Sequence, residues 1–182
     1  MLSDLQKAKI PNLFKMFDAD NNGILEASDI HRIIDTCAAK QGWEKGGEDY
    51  EEFKEHFLSM WLGMVSLADK NQDDQVTLDE FLAFYDNLLA SPDQAQIVIG
   101  GLGGAIFGTF DTNFSGDLTL AEFKGFYGAM GLDTGYGAMI FSRLDRDSDH
   151  NISIKELNEL LDEFFSSQDP NAAGNFLFGP IN

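Results

Sequence analysis

Residues Asp145–Glu156 read DRDSDHNISIKE, and this stretch decides the fold. Oxygen-bearing side chains fall at its positions one, three, five, nine and twelve, which are Asp145, Asp147, Asp149, Ser153 and Glu156. Asn151, at position seven, offers its backbone carbonyl. This is the ligand spacing of a Ca²⁺ loop, in which a hard cation gathers about six to eight oxygens and the acid at position twelve binds through both of its own. For a single match, a charged surface loop is the alternative interpretation.

The same frame fits three more stretches, DADNNGILEASD at 18–29, DKNQDDQVTLDE at 69–80 and DTNFSGDLTLAE at 111–122. The candidate ligands of the first are Asp18, Asp20, Asn22, the Ile24 carbonyl, Glu26 and Asp29. Those of the second are Asp69, Asn71, Asp73, the Gln75 carbonyl, Thr77 and Glu80. Those of the third are Asp111, Asn113, Ser115, the Asp117 carbonyl, Thr119 and Glu122. Four matches in one chain are not a coincidence, and they indicate four EF-hands.

The segments around the loops check this frame independently. After each loop, apolar residues lie one, four, five and eight places beyond position twelve, and that spacing places them on one face of a helix. After the fourth loop they are Leu157, Leu160, Leu161 and Phe164. Apolar residues also precede each loop at helical spacing, so each unit reads as helix, metal loop, helix. We therefore predict an all-α protein of four EF-hands.

Position eight is apolar in every loop, as Leu25, Val76, Leu118 and Ile152. EF-hands pair through this residue. We predict short antiparallel bridges between Leu25 and Val76 and between Leu118 and Ile152, which arrange the four units in two paired lobes.

The predicted organisation is an N-terminal pair over residues 1–91, a C-terminal pair over 92–168 and an apolar tail over 169–182 that packs on the lobes. The break between the pairs, Leu89 to Gln94, is short and contains Pro92. Such a short connection favours lobes that pack together in a compact molecule.

The acidity of the chain points to cations. Its formal charge is −19, with 31 acidic residues against 12 lysines and arginines, and over half of the acids lie in the four loops. Acids at ligand spacing are explained better by bound metal than by a solvated acidic face. Nucleic acid is excluded as a partner at this charge. The single cysteine, Cys37, excludes a disulfide scaffold and favours a reducing compartment.

No membrane span is expected. The uncharged stretch from Gln94 to Phe110 is short, rich in glycine and runs directly into a metal loop. No secretion signal precedes Asp4, which favours a cytoplasmic protein. A monomer is expected, and a protein target is possible but not indicated. No pairing of a nucleophile with a base suggests catalysis, so we do not expect an enzyme.

The loops are not equivalent. Asp29 at position twelve is one methylene shorter than glutamate, which hinders two-oxygen binding of Ca²⁺ and suits Mg²⁺, so the first loop is predicted to bind both ions. Position six requires a left-handed backbone, which Gly23 adopts readily and Asp74 adopts at a cost. The second loop, Asp69–Glu80, is therefore predicted to be the weakest site. We expect three to four Ca²⁺ ions in all.

A long amphipathic helix is predicted from Tyr50 to Ala68, and it contains His56, Trp61 and two methionines. These side chains could contact a chromophore, but packing explains them better.

The four units, the long connector between the first two loops and the tail together resemble the sarcoplasmic calcium-binding protein family, including its bacterial calerythrin-like members. The opening LQKAKIPNLFKMFDADNNG and the ending SSQDPNAAGNFLFGP carry the most specific part of this resemblance. It implies a compact cytoplasmic binder of Ca²⁺ and Mg²⁺ that acts as a buffer, often with one loop inactive. Here all four loops keep acids at positions one and twelve, which departs from that three-site pattern.

Two other functions are open. One is a sensor that exposes a groove for a target helix, although sensors favour methionine-rich surfaces and this chain has 16 phenylalanines against 6 methionines. The other is a photoprotein or luciferin-binding relative. Photoproteins use several histidines around the chromophore, one of them near the C-terminus, and this chain has only His31, His56 and His150. Buffering is the favoured prediction.

Overall fold

The computed structural model describes residues 1–181, which form eight α-helices and four short strands. The helices are α1 (Asp4–Phe17), α2 (Ala27–Gln41), α3 (Glu48–Ala68), α4 (Leu78–Leu89), α5 (Pro92–Phe110), α6 (Leu120–Ala129), α7 (Thr134–Leu144) and α8 (Ile154–Ser166). The strands are β1 (Ile24–Leu25), β2 (Val76–Thr77), β3 (Asp117–Thr119) and β4 (Asn151–Ser153). A 3₁₀ turn follows at Ala173–Phe176.

The short strands join the loops in two pairs. Strand β1 runs antiparallel to β2 with Leu25 opposite Val76, and β3 runs antiparallel to β4 with Leu118 opposite Ile152. All four of these side chains are fully buried. The predicted bridges are therefore confirmed, and each ties one helix–loop–helix unit to its neighbour.

The helices that leave the loops turn the predicted faces inward. All sixteen apolar residues identified by the spacing after position twelve are buried: Ile30, Ile33, Ile34, Cys37, Phe81, Phe84, Tyr85, Leu88, Phe123, Phe126, Tyr127, Met130, Leu157, Leu160, Leu161 and Phe164. They belong to one continuous core. Burial of apolar surface on this scale is the main stabilising contribution to folding.

The two halves of the chain share that core. Helix α1 contacts α8, and α2 contacts α6. The ring of Tyr85 stacks on that of Phe165 with centroids 5.2 Å apart and planes 12° apart, which joins α4 to α8. The compact arrangement predicted from the short break is confirmed. The break itself consists only of Ala90 and Ser91, so it is shorter than predicted. Pro92 does not interrupt the chain but begins α5, because the N–H that proline lacks has no hydrogen-bond partner in the first turn of a helix.

The tail lies against the C-terminal half. Leu177 and Phe178 are buried, and the Phe178 ring meets that of Phe164 at 4.8 Å. The hydroxyl of Tyr127 donates a hydrogen bond to the Leu177 carbonyl at 2.8 Å. Phe176 is only half-buried and lies under the Arg143 guanidinium, 3.7 Å from the ring centroid. The last residue of the predicted tail, Asn182, lies outside the described residues.

Gly174 allows the tail to approach α8 closely. A Cβ atom added at this position would lie 2.6 Å from the Cβ of Glu163 and even closer to the carbonyl oxygen of Leu160. No real side chain tolerates such contacts with a helix backbone. The glycine is therefore required by packing.

Helix α1 is tied to the same region by polar groups. The Lys9 ammonium is fully buried and donates to the Asn175 amide oxygen at 2.7 Å, to the Glu163 carbonyl at 3.1 Å and to the Ser167 carbonyl at 3.3 Å. The Asn12 amide donates to the Pro180 carbonyl at 2.9 Å. These bonds connect the first helix of the chain to its last segment.

Cys37 lies on the buried face of α2 and forms no disulfide. Burial raises the pKa of its thiol to about 12, although Lys40 opposes the shift. The thiol therefore stays protonated at neutral pH and packs as a small apolar group. None of the helices in residues 1–181 is both long enough and apolar enough to cross a bilayer.

Candidate metal centres

All four loops share one backbone shape. Position six has a positive φ whatever its residue type: 84° at Gly23, 62° at Asp74, 85° at Gly116 and 73° at His150. This confirms the left-handed conformation expected from Gly23. It also costs conformational energy at Asp74 and His150, where the residue has a Cβ.

Position four is also left-handed in every loop, which the sequence did not reveal. Its residues are Asn21, Gln72, Phe114 and Ser148, with φ between 55° and 63°. Of these four only Asn21 is of a residue type that favours a left-handed backbone, so residue type alone did not indicate this conformation. Phe114 is 90% exposed, and its ring therefore gains nothing from packing at that position.

Position nine starts the following helix. Thr77, Thr119 and Ser153 cap α4, α6 and α8, and each hydroxyl accepts a hydrogen bond from the backbone N–H of the glutamate at position twelve. Each glutamate in turn accepts from the backbone N–H of its capping residue. Positions nine and twelve of these three loops therefore form a capping box. Its hydrogen bonds hold the glutamate side chain at position twelve toward the loop.

The first loop gathers its acids. Oxygens of Asp18, Asp20 and Asp29 all lie within 4.8 Å of one another. Asp29 is fully buried and accepts hydrogen bonds from the backbone N–H groups of Asp20 and Glu26. Burial raises the pKa of Asp29, and the negative charges of Asp20 and Asp18 raise it further. The two backbone hydrogen bonds lower this pKa, but they do not cancel the increase. A cation would relieve this crowding of like charges.

The other predicted ligands of the first loop lie around this cluster. The Asn22 side chain accepts from the Ile24 backbone N–H at 2.8 Å. Glu26 accepts from the Ser28 hydroxyl at 2.7 Å. Arg32, which the sequence did not single out, lies 3.5 Å from Asp20. Since Arg32 and Asp20 are both partly exposed, water screens this contact, and it would compete only weakly with a metal ion.

The fourth loop gathers Asp145, Asp147 and Asp149, again within 4.8 Å. The Oδ1 atom of Asp145 is buried, and it has no hydrogen-bond partner among residues 1–181. A buried carboxylate oxygen without a donor is costly. A hard cation at this point is the partner that such an oxygen requires, so the residues present fit Ca²⁺.

Glu156 completes the fourth loop and is buried. Burial alone would raise the pKa of its carboxyl, but the hydrogen bonds from Ser153 and the backbone of Arg146 outweigh it and lower the pKa. The carboxyl is therefore ionised at neutral pH, as a metal ligand must be. Asn151 and Ser153 lie on β4, where the Asn151 carbonyl is the predicted ligand.

The second loop holds its acids apart. Within residues 1–181, Asp69, Asp73 and Glu80 do not form a three-acid cluster of the kind found in the first and fourth loops. Glu80 accepts from the Thr77 N–H and hydroxyl, and these bonds lower the pKa of its carboxyl. Asn71 accepts from the Asp73 N–H. Glu80 makes the same kind of loop contacts as Glu156 does in the fourth loop, but it is only half-buried, so the ligands of the second loop lie nearer to solvent.

The third loop has two candidate acids, Asp111 and Glu122. Glu122 is buried and accepts hydrogen bonds from the hydroxyls of Thr112 and Thr119. The contact with Thr112 was not predicted from the sequence. These hydrogen bonds lower its pKa although burial acts in the opposite direction. The Ser115 hydroxyl donates to the Asp117 carbonyl, while Asn113 lies exposed. This loop needs neutral oxygens to complete a metal shell.

Comparison with known protein families identifies EF-hands in both halves of the chain. A family model described as an EF-hand domain pair matches residues 7–86, and one described as EF hand matches residues 104–127. These matches cover the first three predicted loops.

Two characterised relatives match nearly the whole chain. A sarcoplasmic calcium-binding protein of Scylla paramamosain is 29% identical, with 91% of this chain and 90% of the relative covered. Calerythrin of Saccharopolyspora erythraea is 23% identical, with 90% and 94% covered. The predicted resemblance is confirmed, and the first of these relatives is named for calcium binding.

Solved structures show the same fold. A sarcoplasmic calcium-binding protein from amphioxus superposes with a TM-score of 0.73 at 24% identity, over 99% of both chains. A Ca²⁺-loaded coelenterazine-binding protein from Renilla muelleri gives 0.73 at 20% identity, over 98% of this chain and 99% of the other. At these identities the likeness establishes the fold alone.

Proposed function

We propose that this chain, which belongs to the EF-hand calcium-binding proteins of the sarcoplasmic type, is a cytoplasmic buffer of Ca²⁺. At its first loop it would also buffer Mg²⁺. The observation that carries this proposal is the position of the tail. A sensor needs an apolar groove that opens to a target helix. Here Leu177 and Phe178 fill the apolar face of the C-terminal half, against Phe164.

The shared core supports the same conclusion. Lobes that respond to Ca²⁺ by exposing a groove must be free to rearrange. In this protein the Tyr85–Phe165 stack and the Lys9 hydrogen bonds tie the two halves together. A molecule held in this way binds ions without presenting a large new surface, which suits a monomeric buffer.

The metal-binding units of this proposal are the pairs at residues 1–91 and 92–168, with the tail at 169–182 as an internal plug. Each loop would hold its ion with the predicted ligands at positions one, three, five, seven, nine and twelve. The gathered acids of the first and fourth loops support strong sites there. The dispersed acids of the second loop support its assignment as the weakest.

Calorimetric titration of metal-free protein with Ca²⁺ tests the number of sites. We expect three to four ions per chain. Glu156→Gln, in the fourth loop, should lower the affinity of its site at least about tenfold, since ligand charge sets EF-hand affinity. The matched variant Glu80→Gln should change the total binding less. A stoichiometry of two or fewer, or a larger loss from Glu80→Gln, would contradict the proposal.

Repeating the titration with millimolar Mg²⁺ tests the first loop. Asp29→Glu should raise its preference for Ca²⁺ over Mg²⁺ roughly tenfold, because the longer side chain can bind Ca²⁺ with both oxygens. The control is Glu122→Asp, which makes the opposite change in the third loop and should lower the Ca²⁺ preference there. Unchanged selectivity in both variants would show that position twelve does not determine ion choice.

A regulatory role is the second candidate. Leu67 on α3 and Ile97 on α5 are large apolar side chains more than 60% exposed, and both line one apolar cavity. Exposed apolar groups that cluster in this way are a common feature of surfaces that meet partners. Ca²⁺-dependent binding of an amphipathic helical peptide by the intact chain would favour this role over simple buffering.

A further inference from the structure

An apolar cavity of about 360 Å³ lies where α3, α4 and α5 meet. Most of its lining side chains belong to α3 and α5, and Tyr85 of α4 and Phe165 of α8 also line it. Its lining within residues 1–181 includes no acid, lysine or arginine, and His56 is the only basic group. A volume of roughly 300–1,000 Å³ with a mainly apolar lining is typical of small-molecule sites.

Two hydrogen-bond donors in this lining have no protein partner. Trp61 and Tyr85 are each 5% exposed and both line the cavity. Among residues 1–181 no group accepts a hydrogen bond from the Trp61 indole N–H or from the Tyr85 hydroxyl, yet neither atom is among the fully buried atoms without a partner. Both donors therefore remain accessible, and a largely buried tryptophan or tyrosine usually finds a hydrogen-bond partner.

The Tyr85 hydroxyl is held in place. Its ring contacts Phe81 at 4.9 Å and Phe84 at 5.0 Å between centroids, and it stacks on Phe165. Burial raises the pKa of the phenol, so it remains a protonated donor at neutral pH. A rigid donor in an apolar cavity orients a bound molecule with little loss of conformational entropy.

The geometry points to a binding site for an uncharged, mainly apolar small molecule whose oxygen acceptor meets the Trp61 N–H and the Tyr85 hydroxyl. Four side chains of α3 that the sequence analysis assigned to packing rather than to a chromophore all line this cavity: His56, Met60, Trp61 and Met64. The inference goes beyond ion buffering and does not depend on the number of metal sites.

A target helix is the less suitable occupant, because the apolar face that it would place in the cavity offers no acceptor to the Trp61 N–H or the Tyr85 hydroxyl. A molecule of drug-like size fits the cavity, and the two unpartnered donors give such a molecule a fixed orientation.

The neutral fluorophore Prodan, which carries a single ketone on an apolar ring system, is a suitable probe. We expect the intact Ca²⁺-loaded protein to bind one Prodan with a dissociation constant of roughly 10–100 µM, from the ligand efficiency of drug-sized molecules. Tyr85→Phe and Trp61→Phe should each weaken binding about three- to tenfold, the effect of losing one hydrogen bond. Prodan emission should shift to shorter wavelength in both variants.

A cavity-filling variant locates the site. Gly101 lines the cavity from α5, and a Cβ added there meets no atom within 4 Å. Gly101→Leu should therefore abolish Prodan binding while favouring the helix. Gly104→Leu is the matched control, because Gly104 lies on the same helix with equal space but outside the cavity lining.

Three results would overturn the assignment. The first is the absence of saturable one-to-one Prodan binding, and the second is binding that Gly101→Leu leaves unchanged. The third is binding that Gly101→Leu blocks but that neither donor variant alters, which would remove the role of the two donors. Melittin, an amphipathic helical peptide, tests the rival occupant: tight binding that displaces Prodan would identify a helix-docking groove instead.

Discussion

Deleting the residues after Gln168 will lower the free energy of unfolding by about 4–8 kcal/mol, because it removes the two buried side chains of Leu177 and Phe178 and losing one large core side chain costs about 2–5 kcal/mol. The deletion also removes the carbonyl that accepts from the Tyr127 hydroxyl and one of the three acceptors of the Lys9 ammonium, the Asn175 amide oxygen. Denaturant unfolding of the Ca²⁺-loaded protein measures the loss.

The same deletion will expose the apolar face that the tail covers. The truncated protein should bind anilinonaphthalene sulfonate strongly in Ca²⁺, whereas the intact protein should bind it weakly at that face. Deleting only the residues after Gly179 is the matched control, since it keeps both buried side chains. Phe178→Ala provides a folded variant if the longer deletion fails to fold. Unchanged stability and dye binding would refute the plug and favour a sensor.

Replacing Lys9 will have a second large effect. Lys9→Ala should lower the free energy of unfolding by about 3–5 kcal/mol, because it leaves a cavity and leaves three buried acceptors without their donor. Lys9→Met keeps most of the volume and should cost about 1–3 kcal/mol. Lys7→Met is the control on the same helix, where the side chain is exposed and the change should stay within about 0.5 kcal/mol.

The cost of Lys9→Met should grow with pH. Burial lowers the pKa of Lys9 from 10.5 to about 8, although the Glu163 carboxylate opposes the shift. Between these two pKa values the unfolded chain binds more protons than the folded one, so the lysine protein gains stability as pH rises through this window. Lys9→Met lacks that gain. Unfolding measured at pH 7 and at pH 9.5 gives the comparison, and an equal cost at both would contradict the shift.

The sequence predicted the repeating parts of the molecule well. Position eight of each loop and the sixteen apolar residues of the following helices were assigned correctly, because a helix face and a loop register follow from local spacing alone. The pairing of Leu25 with Val76 and of Leu118 with Ile152 followed from the same frame.

The non-local contacts could not be predicted in this way. Lys9 lies among apolar residues of α1 in the sequence, and nothing near it reveals that its acceptors are more than 150 residues away. Gly174 and the donors Trp61 and Tyr85 are similar cases, since their roles depend on helices brought together by folding. The unequal gathering of acids in the loops also depends on side-chain packing rather than on ligand spacing.

The bonds between α1 and the end of the chain also set the order in which the protein can mature during synthesis. Gln6 donates to the Phe165 carbonyl 159 residues away, and Asn12 to the Pro180 carbonyl 168 residues away. At about 5–20 residues per second, a ribosome needs roughly 8–35 seconds to make the intervening chain. Helix α1, which leads into the first metal loop, cannot form these hydrogen bonds until the residues that accept them have been synthesised. The first loop to be translated is therefore among the last to reach its final packing.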